Sequence, residues 1–344
     1  MIKRILGIAL ACAILAVISA TYTGCESAEV PVVKSIDLFV IAGQSNAAGY
    51  TACDETVLSG LWDKYNSGSK DVLYYGSAEY IVKAKDADPV MRANKFTDWV
   101  PARAGMGYQM NRIGPEVGLA AYLSENYCTL PDGVTRTVGL IKYAHGGTSI
   151  FLHTDSDYEI SGSWASPSYI AYAGIEDTEF TGRLYRELLA QVERGVAALT
   201  ADGYTNINLK GVFWMQGETD RDHPDEYKTA FTYFASDLRA DLGELMGEDL
   251  SGLPIMVGEI SETSGSAIAA TEAVNKAFIE AQRELASELE NVYVIPSGQY
   301  RINWIEGSFS KGHGDPWHWK TEDIFAIGQM IGECIVENIL SQEQ

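Results

Sequence analysis

Basic side chains are scarce in this chain: 25 Lys and Arg stand against 47 Asp and Glu, for a formal net charge of −22. A surface that acidic repels nucleic acid and anionic membrane faces, so neither is expected as a partner. Histidine and cysteine are sparse too, at five each. Beyond residue 25 only Cys53, Cys128 and Cys334 remain. An odd number at irregular spacing is neither a disulfide framework nor a zinc site. Internal repeats and low-complexity linkers are also missing, which leaves one large domain as the simplest account.

What is present begins with a leader. Lys3 and Arg4 precede an apolar run from Ile5 to Ala20, and small residues follow. The run is shorter than the roughly 18 residues a membrane span needs, so it reads as a secretory signal. Thr23-Gly24-Cys25 resembles a bacterial lipobox, although Tyr22 departs from the aliphatic residue usual there. Residues 1–24 are therefore expected to be a lipoprotein signal, Cys25 its lipidated residue, and 25–34 a short tether. The protein is then exported and held at the bacterial cell envelope by one lipid anchor. Cleavage after Ala20 would instead give a secreted or periplasmic protein.

Five apolar runs read as strands: Ile36–Ala42, Thr137–Ala144, Asn208–Met215, Pro254–Ile260 and Asn291–Ile295. Most are continuous rather than alternating, as in strands covered on both faces. Helical periodicity fills the gaps, over Gly114–Glu125, Leu184–Leu199, Tyr227–Leu245, Ala269–Leu289 and Asp323–Leu340. Strands alternating with helices predict a parallel sheet with helices on both sides, here over residues 35–344. Two weakly patterned stretches, near 51–111 and 153–180, read as loop insertions that could wall a site.

Polar residues gather where the strands end. Ser45 follows the first strand in LFVIAGQSNAAGY, at a strand-to-helix turn. His145-Gly146-Gly147-Thr148-Ser149 follows the second and Gln216-Gly217-Glu218-Thr219-Asp220 the third. Gly314-Asp315-Pro316-Trp317-His318 precedes the final helix. Together these supply the parts of acyl transfer. A hydroxyl needs a base to take its proton, and histidine suits. A carboxylate must orient that histidine, and preorganised N–H donors must meet the oxyanion. Each piece also has an ordinary structural use: GQSN as a helix-start turn, Gly-Gly as a turn, Glu218 as a cap. His313, Asp315 and His318 offer metal-ligand types, but no further cluster completes a set, so no metal and no cofactor is expected.

GQSN at 43–46, KYAHGGTSI at 142–150, Leu184-Tyr185, WMQGETD at 214–220, DLR at 237–239 and DPWH at 315–318 occur in an order that resembles the carbohydrate-esterase branch of the SGNH (GDSL-like) hydrolases. That branch includes family 6 acetylxylan esterases and sialate O-acetylesterase-like proteins, and the resemblance spans the mature chain. It implies an α/β fold, a flavodoxin-like three-layer α/β/α sandwich around a five-stranded parallel sheet. It implies serine-dependent removal of acetyl groups from O-acetylated oligo- or polysaccharides such as acetylated xylan, through an acetyl-enzyme. Carried over by position, Ser45 is the nucleophile and His318 the base, oriented by Asp315 or by Glu218. The oxyanion donors are the N–H of Ser45, an N–H of Gly146 or Gly147, and Gln216. Gln44, Asn46, His145, Trp317 and Trp319 are candidate substrate contacts, although at least one of the tryptophans is expected in the core. A sialate substrate would need an arginine for its carboxylate, with Arg103, Arg112, Arg183 and Arg301 as candidates. A glycan-binding lipoprotein without chemistry is the alternative of another class.

Overall fold

The stretch SIDLFVIAG carries no charge after Asp37, and it forms the central strand β1 (Ser35–Gly43), buried from Leu38 onward. Its alternate residues serve two separate cores. Ile36, Leu38, Val40 and Ala42 face one, and Phe39 and Ile41 the other. This period of two is the reason a continuous apolar strand needs helices on both sides. The computed structural model describes residues 33–77, 98–108, 111–128, 135–151, 162–176, 178–265, 269–302 and 316–340.

Helix α1 (Ser45–Ala48) follows directly, then β2 (Thr51–Ala52), α2 (Glu55–Leu61), β3 (Ser69–Ser77), β4 (Val100–Ala102) and β5 (Arg112–Ile113). Beyond them come α3 (Glu116–Asn126), β6 (Val138–Ala144), α4 (Pro167–Ala173), α5 (Arg183–Ala201) and β7 (Asn206–Met215). The chain continues through α6 (Pro224–Met246), β8 (Ile255–Gly258), α7 (Ala269–Glu288), β9 (Val292–Ile295) and α8 (Thr321–Cys334). The main sheet has seven strands in the order β4-β3-β6-β1-β7-β8-β9. All neighbours run parallel except β3 and β4.

The five predicted strands are β6, β1, β7, β8 and β9. Their spatial order, second-first-third-fourth-fifth, is the flavodoxin-like one. The sheet is wider than expected because the segment 51–111 contributes β3 and β4 at one edge. The buried Val72 and Tyr74 of β3 alternate there, but Lys70 and Asp71 open the strand and Gly76 lies near its end, which broke the pattern. The five predicted helices are α3, α5, α6, α7 and α8. On one face Leu184, Leu188 and Val192 of α5, Phe231 and Phe234 of α6 and Phe278 of α7 close the first core. On the other, Val117 and Leu119 of α3 and Ile324, Ile327 and Ile331 of α8 close the second. None of the described helices is long and apolar enough to cross a membrane. The signal segment and Cys25 lie outside the described residues.

Candidate active site

In a doubly wound sheet the crevice opens at the carboxyl ends of strands where the winding reverses, here between β1 and β7. The chain closes that edge with short backbone bonds. Gln44 N–H donates to Met215 O at 2.9 Å, and His145 N–H to Gly43 O at 2.8 Å. Gly43 turns with φ of +134°, and a Cβ there would lie 2.1 Å from Met215 O, so only glycine lets β1 end against β7. Gly217 makes the matching exit from β7 at φ +152°, where a Cβ would strike the Phe278 ring at 2.4 Å.

Ser45 is the first residue of α1 and is 8% exposed. At that position a backbone N–H has no partner within its own helix. Its neighbours tie it to β7. Gln44 Oε1 accepts from Gly217 N–H at 3.1 Å. Asn46 Nδ2 donates to Glu218 Oε1 at 2.7 Å and to Trp317 O at 3.2 Å. Gln44 and Asn46, predicted as substrate contacts, are buried braces between strand ends. The Asn46 bond to Trp317 also brings the residue before His318 to the serine turn. His318 stacks on Tyr50, with ring centroids 5.0 Å apart, and Tyr50 stacks in turn on Tyr108 at 4.4 Å. Tyr108 belongs to the 51–111 insertion, so part of that insertion does line this region. Asp315 and His313 lie outside the described residues.

Glu218 is buried, and desolvation holds its carboxyl above the ordinary range. Its own backbone N–H, the Asn46 amide and the positive fields of His318 and Arg221 oppose that rise. Glu218 Oε2 holds no hydrogen bond among the described residues.

The two glycines after β6 differ: Gly146 is buried, whereas Gly147 is exposed with φ of +68°. The loop that carries them is anchored on its far side. Trp164 Nε1 donates to Thr148 Oγ1 at 2.8 Å, and Ile150 N–H donates to Asp220 Oδ2 at 2.9 Å. Gln216 joins the same clamp, with Nε2 donating to Thr148 O at 2.9 Å and to Asp220 Oδ2 at 2.6 Å. Both hydrogens of this amide are thus committed. The side chain expected to meet an oxyanion holds the glycine loop in this structure, and donation to an oxyanion would cost one of those bonds. Asp220 is fully buried, and desolvation pushes its carboxyl up to about 6 against the bonds it accepts. His145 is buried as well, and desolvation lowers its imidazole to about 4, so the ring is neutral near pH 7.

The two tryptophans separate. Trp317 is 38% exposed, with the Arg221 guanidinium 4.9 Å from its ring centroid. Trp319 is 2% exposed within the second core, and its Nε1 donates to Tyr300 O at 2.7 Å. Trp319 therefore offers no face to a sugar, and its candidacy as a substrate contact is withdrawn.

Sequence reasoning passed over several residues that build this edge. Gln282 of α7 donates to Gly258 O at 3.1 Å and accepts from Ile260 N–H at 3.0 Å, tying the end of β8 to its helix. A signal existed: Asn275 and Gln282 are polar but share the buried stripe of Phe278 and Leu285. Asp220 stood in plain view in WMQGETD without a role. Lys142 and Glu116 form a wholly buried ion pair at 3.0 Å beneath α1. Among the described residues no group of three His, Cys, Asp or Glu side chains could hold a metal.

A family model described as carbohydrate esterase, sialic acid-specific acetylesterase, matches residues 35–337. No curated protein matches the chain. Among solved structures, a protein from Arabidopsis thaliana is similar at 19% identity and a TM-score of 0.54, covering 88% of this chain and 98% of its own. NanS is similar at 14% identity and a TM-score of 0.51, covering 91% and 99%. At these identities the two structures speak for the shared fold.

Proposed function

The chain belongs to the carbohydrate esterases of the sialic acid-specific acetylesterase family, and on that premise we propose that it removes acetyl groups by a serine mechanism at Ser45. The family makes it a carboxylic ester hydrolase acting on O-acetylated carbohydrate. Ser45 Oγ attacks the acetyl carbonyl as His318 takes its proton. The N–H of Ser45 and an N–H of Gly146 or Gly147 receive the negative charge on oxygen. Collapse expels the sugar hydroxyl, which takes the proton back from His318. Water, activated by the same imidazole, then releases acetate from the acetyl-enzyme. Asp315 or Glu218 orients His318; Glu218 is tied to the serine turn through Asn46.

The observation that carries the reading is Asn46, which ties the Ser45 turn to Glu218 and to the residue before His318. The test is acetate release from 4-nitrophenyl acetate and acetylated xylan by the wild type and by S45A. Activity on both that drops at least about 10³-fold in S45A supports the mechanism with acetylated glycan as substrate. Undiminished activity in S45A overturns it. Folded wild type inactive on every acetyl ester points to the glycan-binding alternative.

A second reading, for acetylated sugars that carry a carboxylate, is favoured by Arg221 beside the exposed Trp317. An aromatic face suits a sugar ring and a guanidinium suits a carboxylate. Of the four arginines named from the sequence, Arg112 also lies near the site, its Nη1 donating to Tyr50 O at 2.9 Å. R221A is expected to raise KM on an O-acetylated sialic acid and leave acetylated xylan unchanged; equal effects on both would sink this reading. Export with a lipid on Cys25 is proposed with it. C25S is expected to move the protein from the membrane fraction to the soluble one, and an unchanged distribution would count against the anchor.

A further inference from the structure

The nucleophile reading leaves the ion pair of Lys142 and Glu116 without a role. Lys142 interrupts the otherwise apolar face of β6, in VGLIKYA, and Glu116 opens α3. Both side chains are wholly buried, 3.0 Å apart. Glu116 Oε1 accepts from Gly114 N–H at 2.9 Å. Lys142 Nζ also donates to Ala48 O at 3.2 Å and stands 5.5 Å from the centroid of the Tyr74 ring. Burial pushes the Lys142 ammonium down, and the Glu116 carboxylate pulls it back up. A buried pair of this kind adds little net stability, because desolvation offsets its attraction and apolar side chains of like size often serve better. Its presence needs another account.

That account lies in the helix above it. Helix α1 has four residues and two closing backbone bonds, Ala48 N–H to Gln44 O at 2.8 Å and Gly49 N–H to Ser45 O at 2.9 Å. A turn so short does not hold itself in water. The ammonium meets it at the last carbonyl, the end at which a cation stabilises a helix. We propose that Lys142, held in place by Glu116, is a positioning residue that fixes the α1 turn and with it the Ser45 hydroxyl. The proposal rests on the reading of Ser45 as nucleophile.

The test is the double variant K142M/E116Q, which removes both charges and keeps an acceptor for Gly114. The folded variant is expected to lose about tenfold in kcat on 4-nitrophenyl acetate, with KM within about twofold of wild type. The rate at which a fluorophosphonate labels Ser45 is expected to fall in parallel, which a loss of stability alone would not cause. If circular dichroism shows the double variant unfolded, the isosteric E116Q alone replaces it, with an expected loss of about threefold in both readouts. Wild-type kcat and labelling in the folded variant overturn the proposal. S45A is run beside them. Hydrolysis that survives S45A overturns the nucleophile reading itself, whereas its loss there with wild-type rates in the charge-free variant sinks the positioning role alone.

Discussion

Ser45 and His318 reach the same edge of the sheet on different supports. Ser45 opens the short helix that follows the central strand, and its turn is tied to the segment after β7 and to β6 through Gln44, Asn46 and Lys142, all buried. His318 lies against the ring of Tyr50, which is itself stacked on Tyr108. Hydrogen bonds at strand ends are directional and costly to leave unmade when buried, so they fix a position. Ring stacking beyond its buried area contributes about 0.5–1.5 kcal/mol and tolerates sliding. The contrast suits the proposed chemistry. A nucleophile must meet carbonyl and oxyanion donors in one geometry, while the base is seated against an aromatic ring and turned by the carboxylate that orients it.

Four experiments test this contrast. The largest effect is expected from S45A and H318A, each lowering kcat on 4-nitrophenyl acetate by at least about 10³-fold; a milder loss in either would remove that residue from the mechanism. Next is D220N, which loosens the Gln216 clamp on the glycine loop. Its kcat is expected to fall about 10²-fold with KM nearly unchanged, as for a lost oxyanion donor. A rise in KM alone would show that the clamp shapes binding instead. Tyr50→Leu removes the stack under His318 and is expected to cost about 3–10-fold in kcat. A loss as large as that of D220N would erase the distinction between hydrogen-bonded and stacked supports.

The fourth experiment reads stability rather than rate. His145 titrates near 4 when folded, against an ordinary 6.5. Its neutral form therefore contributes fully above pH 6.5, and the contribution is lost as pH falls from 6.5 towards 4. The loss is about 3 kcal/mol, at about 1.4 kcal/mol per pH unit. Urea unfolding of H145N across that window should show a flatter pH dependence than wild type; parallel curves would contradict the assignment.

Much of the fold could be read from the chain because the central strands are uninterrupted. A run such as Ile36–Ala42 has only a buried parallel strand as its simplest outcome, and the five runs appear in the expected layered order. β3 was missed because charge and glycine broke its alternation, and a two-residue strand such as β2 carries no pattern at all. At the site, motif order brought attention to Ser45, Glu218, Gln216 and His318. What Gln216 binds was not readable, since a free amide and a committed one look alike in a sequence. The same holds for Trp317 and Trp319, two residues apart and opposite in exposure. Lys142 looked like one more polar letter, and only its burial against Glu116 separates it from a surface lysine.

The edge strand β4 carries one more consequence. It spans three residues, Val100-Pro101-Ala102, and runs against β3 at the margin of the sheet. Proline has no amide hydrogen to offer an incoming chain, and a strand this short gives little to pair with. At the opposite margin β9 is only four residues long. Among the described residues, a sheet bordered in this way gives a neighbour's backbone little to lengthen.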